Sequence, residues 1–170
     1  RQFPEDQGPL AHPVRPQSYI EINNFYTPTV YEKGAEICRM LLTLAGTNTF
    51  RRAMDLYFQR HDGEAATVEH FLGCFAEASG RDLRQFARWY DVAGTPVVSV
   101  TTSYDPQVQE YTIHLAQHTP DSTGQTNKPP LHLPLQLGLL DADGKDVPLL
   151  TRENIAVENG VFEFTSATAQ

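Results

Sequence analysis

The stretch Asp82-Leu83-Arg84-Gln85-Phe86-Ala87-Arg88-Trp89-Tyr90-Asp91-Val92-Ala93-Gly94-Thr95-Pro96-Val97-Val98-Ser99-Val100-Thr101 holds the point where this chain changes character. Before Gly94 the apolar side chains Leu83, Phe86, Trp89 and Tyr90 recur at helical spacing, whereas β-branched residues crowd together after Pro96. Proline biases the residue before it out of the helical region, so Thr95-Pro96 closes one regime and opens another. The expected fold is therefore α+β, with a helical part over residues 1–96 and a β part over 97–170. Charge follows the same division, with 10 basic and 12 acidic side chains before residue 97 and 3 and 9 after it.

Working back from that point, the spacing predicts three more helices. One runs from Thr29 through Val30, Gly34, Ile37, Cys38, Leu41 and Leu44 and stops at Gly46, a residue suited to a helix C-terminus. A second carries Phe50, Met54, Tyr57 and Phe58 and ends by Gly63. The third, with Thr67 as N-cap and Gly80 as stop, carries Val68, Phe71, Leu72 and Phe75. Asp82 to Gly94 is read as the fourth helix. The first 28 residues hold Pro4, Pro9, Pro13, Pro16 and Pro28, each fixing φ and removing a donor, and are expected to run as an ordered extended loop around a short segment at 18–22.

Working forward, strands are expected at residues 97–101, 111–115, 131–139, 147–150 and 161–164. Asp143-Gly144 is read as a type I′ hairpin turn, and Pro134 and Pro148 suit edges or bulges. Alternation with one apolar face implies an antiparallel sheet packed on one side, as in a small sandwich. The polar stretch 119–130 reads as a loop.

Composition narrows the function. The 170 residues are 40% apolar, enough for a core. A net charge of −8 without any basic stripe argues against nucleic acid. The longest dense apolar run, Met40-Leu41-Leu42-Thr43-Leu44-Ala45, is far short of the ~18 residues that membrane insertion needs. Cys38 and Cys74 fall in helical patterns and are expected as buried free thiols; with no Asn-X-Ser/Thr sequon, this suits a reducing, cytoplasmic setting. The chain opens without Met or a signal-peptide pattern and is expected to be a piece of something longer.

No His-Glu-x-x-His pair, Gly-x-Ser-x-Gly elbow, phosphate-cradling glycine loop or Cys-x-x-Cys occurs. His114 and His118 have the spacing of helical ligands but lie on the polar face of a strand. Asp141, Asp143 and Gly144 lack the later ligands of a calcium loop and read as a plain hairpin.

The segment Ile22-Asn23-Asn24-Phe25-Tyr26-Thr27-Pro28-Thr29-Val30-Tyr31-Glu32-Lys33-Gly34-Ala35-Glu36 carries more. It resembles the gluzincin aminopeptidases of the aminopeptidase N (alanyl aminopeptidase) family, bacterial type. Ala11-His12-Pro13-Val14-Arg15-Pro16 is similar to that family's His-Pro segment, Tyr57-Phe58-Gln59-Arg60-His61 to its next helix, and Trp89-Tyr90 with Gly94-Thr95-Pro96 to the end of its catalytic domain. The resemblance implies that residues 1–96 are the C-terminal helical part of a thermolysin-like peptidase domain and 97–170 a β-sandwich domain, cut before its last strands.

It further implies that Tyr31 donates a hydrogen bond to the oxyanion of the tetrahedral intermediate, a task suited to a phenol because it keeps its proton at neutral pH. By the same likeness Tyr26 lines the pocket for the substrate's N-terminal side chain, or else anchors the loop together with Phe25, and Asn23 stands nearby as a weaker binding candidate. Glu32 is read as favouring the helix N-terminus through the macrodipole. The family's zinc ligands and general-base Glu lie upstream of these motifs, so zinc belongs to the intact parent and none is expected in this fragment, which alone should be inactive. The implied partners are peptide substrates and the remaining domains of the parent chain. Alternative readings are a non-catalytic relative serving as a protein-interaction module, and a complete small β-sandwich binding protein with a helical cap.

Overall fold

A computed structural model describes residues 1–147 and 161–169. The helices are α1 (Gln2–Asp6), α2 (Gly34–Ala45), α3 (Thr47–His61), α4 (Val68–Ser79) and α5 (Arg88–Asp91), of which α2, α3 and α4 follow the expected amphipathic stripes. Thr67 caps α4 by accepting from the His70 amide, and Gly80 ends it in the left-handed region at φ 68°. Ile37, Leu41 and Leu44 of α2, Ala53 of α3 and Leu72 and Phe75 of α4 are buried together. Phe58, expected on the apolar stripe of α3, is instead exposed.

Two helical expectations are corrected. α1 forms where an extended loop was expected, because Pro4 lies in its first turn, where its missing N–H would have had no partner anyway. The 82–94 helix shrinks to α5: after the Ala87 to Leu83 bond, the amides of Arg88, Trp89 and Tyr90 each donate to the carbonyl three residues back, and the turn tightens. Leu83, Phe86, Trp89 and Tyr90 are nonetheless all buried, as their spacing implies.

The β part begins with β1 (Val97–Asp105) and β2 (Glu110–His118), an antiparallel hairpin in register from Val97 opposite His118 to Asp105 opposite Glu110. A short β7 (Thr168–Ala169) adds to β2. β3 (Leu133–Gln136) pairs with β6 (Val161–Phe164), and β4 (Leu139–Leu140) with β5 (Asp146–Val147). The 131–139 strand is thus interrupted at Leu137-Gly138, and among the described residues Pro134 sits in a two-stranded ribbon, at an edge position. The expected strand at 147–150 lies, beyond Val147, outside the described residues.

The Asp143-Gly144 turn is not type I′, since only Gly144 has positive φ; Asp141 O accepts from Gly144 N, a type I turn followed by a left-handed glycine. The Asp141 carboxylate accepts from the amides of Asp143 and Lys145, which is what an acidic residue does in a hairpin loop. Val98, Val100, Thr102 and Tyr104 share a face with Gln117, Leu115, Ile113 and Tyr111. That face is covered only at its Val98 and Leu115 end, and Val100, Tyr104 and Tyr111 are exposed. His114 and His118 stand exposed on the opposite face.

The core runs unbroken across residue 96, because Leu131, Leu133 and Phe164 join the helical cluster. Polar side chains fasten the same junction. Trp89 Nε1 donates to His132 O at 2.8 Å, and Gln85 and Arg88 reach the carbonyl of Pro130. Gln117, buried, accepts from Leu131 N and donates to Leu131 O and Ser166 O, binding three β segments with one amide. The 119–130 loop clamps the end of α5: Gln125 takes Ala93 N and Asp91 O, while Lys128 donates to Ala93 O.

His132 lies buried against Phe86, with Nε2 3.1 Å from Glu163 but off the line a hydrogen bond needs. Burial pushes its pKa below the ordinary 6.5, Glu163 opposing in part. The unfolded chain therefore takes up this proton first as pH falls, and the stability that the neutral ring holds above 6.5 is lost on descending through that value. The thermal midpoint should accordingly fall more between about pH 8 and about pH 5.5 in the natural chain than in His132→Gln; equal falls would show that the ring carries no such linkage.

Candidate active site

Tyr26 and Tyr31 stand on two consecutive helical turns, one tight and one wide. Residues Ile22–Phe25 form a 3₁₀ turn, fixed by the Asn24 carboxamide oxygen, which accepts from Ile20 N and Glu21 N. Thr29–Lys33 form a π-helical turn that leads straight into α2, a wide form of helix often found at functional sites. The rings of Tyr26 and Tyr31 stack with centroids 6.2 Å apart and planes 23° from parallel. Both project outward, 65% and 59% exposed.

The structure stacks these two predicted residues and places the third in the adjoining 3₁₀ turn. Asn23 is exposed in the 3₁₀ turn; its carbonyl accepts from Tyr26 N at 3.1 Å, but its carboxamide has no hydrogen-bond partner among the described residues. Glu32 is exposed in the first turn of its helix, where an acidic group suits the amide dipoles. Phe25 packs its ring against the exposed Tyr19 of the same loop, with centroids 4.7 Å apart.

What holds the π turn is a set of side chains reaching to the N-terminal segment. His12 Nδ1 faces Leu10 O at 2.9 Å; a carbonyl only accepts, so this nitrogen carries the proton. In the neutral ring Nε2 is then the acceptor for the Thr27 hydroxyl, 2.9 Å away. Glu5 Oε1 accepts from both the amide and the hydroxyl of Thr29, at 3.1 and 2.6 Å. Lys33 Nζ donates to Asp6 Oδ2 at 2.8 Å, to Gly94 O at 2.9 Å and to Val92 O at 3.4 Å.

Asp6 and Lys33 are only 1% and 5% exposed. Burial pulls the Lys33 ammonium pKa down and the hydrogen bond and charge of Asp6 pull it back up, the burial being the larger. The carboxylate is fully used: Oδ1 accepts from Gly94 N at 2.8 Å, and Oδ2 also accepts from Thr95 Oγ1 at 2.9 Å and Gln2 Nε2 at 3.2 Å. Gly94 sits at φ +88°, and a Cβ there would come within 3.3 Å of Lys128 Nζ. One buried carboxylate thus joins α1, the π turn and the start of the β part.

Arg15 makes a second tie. Its guanidinium forks onto Asp91 at 2.9 to 3.1 Å and also bonds Glu69, whose pKa that contact draws down to about 2. Its amide donates to Tyr90 O at 2.8 Å.

Comparison with known proteins places this arrangement. Residues 1–90 match the family described as "Peptidase family M1 domain". The chain belongs to peptidase family M1. Residues 94–170 match a "domain of unknown function (DUF3458) Ig-like fold", which fits the antiparallel sheets. Among curated relatives, "Aminopeptidase N" of Escherichia coli strain K12 is 51% identical over 148 residues, 87% of this chain and 17% of that protein. "Aminopeptidase N" of Caulobacter vibrioides is 60% identical over 145 residues, 85% of this chain and 17% of that protein. A solved structure of Legionella pneumophila aminopeptidase A in complex with aspartic acid superposes with a TM-score of 0.75 at 26% identity, over 92% of this chain and 16% of that one. The chain therefore spans about a sixth of the length of the relatives it matches.

The M1 match and the Ig-like match meet at residues 91–93, beside the Gly94 that Asp6 and Lys33 both grip. Neither Asp6 nor Lys33 was singled out from sequence, but one signal was there to read. Lys33 lies four residues before Ile37 and eight before Leu41 on the buried stripe of α2, and a cation on such a stripe demands a buried anion. Lys33→Met strands the Asp6 charge and should cost about 3–5 kcal/mol in chemical denaturation. Combining it with Asp6→Asn removes both charges and should recover most of that loss; no recovery would mean that the cost came from packing.

Proposed function

We propose that the whole protein of which these residues form a part is a zinc-dependent aminopeptidase that removes N-terminal residues from peptides, with Tyr31 as its oxyanion donor. The observation that carries this is the outward-facing Tyr26–Tyr31 stack on a turn whose flanks, Thr29 and Lys33, are buried and tied down. The peptide's N-terminal side chain lies against Tyr26, Asn23 flanks it, and the Tyr31 hydroxyl donates to the scissile carbonyl oxygen as negative charge gathers there. A donor aimed at charge that exists only in the transition state raises kcat without tightening ground-state binding.

Residues 1–96 would then be the closing helical part of a thermolysin-like peptidase domain and 97–170 a β-sandwich. Among the described residues no group of three or more His, Cys, Asp or Glu side chains is placed to hold a metal ion. On the family resemblance alone we assign the zinc and general base to residues outside these 170, run no catalytic step through the metal here, and expect these residues alone to be inactive. No helix among the described residues is long and apolar enough to cross a membrane. The thiols of Cys38 and Cys74 are both free, and this supports placing the parent in the cytoplasm.

In the full-length enzyme, Tyr31→Phe should lower kcat by roughly 10²–10³ with little change in KM; an unchanged kcat removes Tyr31 from the chemistry. Tyr26→Ala should act mainly on KM and change the preference among N-terminal residues, and an unaltered substrate profile would leave Tyr26 only a structural role.

A further inference from the structure

The ring of Tyr31 is not held by its own contacts. It is exposed, its hydroxyl has no hydrogen-bond partner among the described residues, and its recorded ring neighbour, Tyr26, is itself exposed. Where the hydroxyl stands is consequently set by the backbone of the π turn. That backbone is tethered at positions 27, 29 and 33, always to the segment between residues 5 and 12. Thr29 and Lys33 bracket Tyr31 and face inward, so the residue midway between them must face out.

Two of the three tethers involve neutral or partly exposed groups. The third, Lys33 with Asp6, is buried and charged, and a buried ion pair is a poor way to gain stability, since apolar residues of similar volume often do as well. An apolar pair also lets its partners slide and roll. The ammonium and carboxylate here are fixed in both distance and direction, by three donors into the carboxylate besides Lys33 and by two carbonyls on the ammonium besides Asp6. Such a pair specifies position, and position is what an oxyanion donor needs, because a displacement of about 1 Å can cost a factor of roughly 10² in rate.

We propose that Asp6 and Lys33 are positioning residues for Tyr31, whose buried contact sets the place of the π turn and hence of the tyrosine hydroxyl. Gly94 and Thr95 belong to the same device through their bonds to Asp6, so the start of the β part shares in aligning the site. This rests on Tyr31 being the oxyanion donor.

The test is a mutant cycle in the full-length aminopeptidase, read as kcat and KM on an aminoacyl-p-nitroanilide. Lys33→Met should lower kcat by roughly tenfold or more with KM within about twofold. In a Tyr31→Phe background the same substitution should cost nothing further, because its route to the chemistry is gone. The pair Asp6→Asn/Lys33→Met strands no charge and should still show the loss in kcat; it decides the matter if the single variant does not fold. A neutral pair with the natural kcat overturns the proposal, as does a Lys33→Met loss that persists undiminished in Tyr31→Phe, or a neutral pair that does not fold, which would make the contact one for folding only. An unchanged kcat in Tyr31→Phe alone would instead strike down the role of Tyr31, a result distinguishable from all of these.

Discussion

The contact between Asp6 and Lys33 is the constraint on which the rest of this structure hangs. Taking two charges out of water is costly, and the chain offsets that cost only by surrounding both with partners: Gln2, Gly94 and Thr95 on the carboxylate, Val92 and Gly94 carbonyls on the ammonium. To supply those partners, segments nearly ninety residues apart in sequence must meet at one point. α1, the π turn, the end of α5 and the first residues before β1 are all placed by that requirement. The Tyr31-Glu32-Lys33-Gly34 and Gly94-Thr95-Pro96 motifs meet at this junction through Lys33 on Gly94 O and Asp6 on Gly94 N and Thr95, while His12 ties Thr27 just ahead of the turn.

The junction also accounts for how the helical and β parts are joined. The apolar cluster crosses from Phe86 and Trp89 to Leu131, Leu133 and Phe164 without a break, but apolar packing is non-directional. Direction comes from the Trp89 indole on His132 O and from Gln125 and Lys128 on the end of α5. A polar, low-complexity loop between strands thereby becomes the clasp that fixes Gly94, and through Gly94 the carboxylate of Asp6.

Much of this was legible in the sequence. The helical stripes of α2 to α4, the cap at Thr67, the break at Pro96, the strands β1 and β2 and the exposed polar face carrying His114 and His118 all follow from periodicity and local chemistry. What escaped has two sources: α1 forms because its proline falls in the first turn, where the missing N–H costs nothing, while tertiary partners tighten the 82–94 helix where Gln85 and Arg88 serve carbonyls of the β part and divide the strand through Leu137-Gly138, whose two halves pair with different strands. The turn-building role of the Asn24 side chain also lies outside what the motif shows, since its bonds to Ile20 N and Glu21 N exist only in the folded loop.

The central claim is that a turn locked from beneath presents the Tyr31 hydroxyl to a developing oxyanion. Its most direct test is a crystal structure of the full-length parent protein with a phosphinic peptide, whose tetrahedral phosphinyl oxygen stands in for that oxyanion. The account predicts Tyr31 Oη at about 2.7–3.1 Å from this oxygen, with the Lys33–Asp6 contact intact beneath the turn. A Tyr31 ring still turned to solvent, with the phosphinyl oxygen satisfied by other donors, would contradict it.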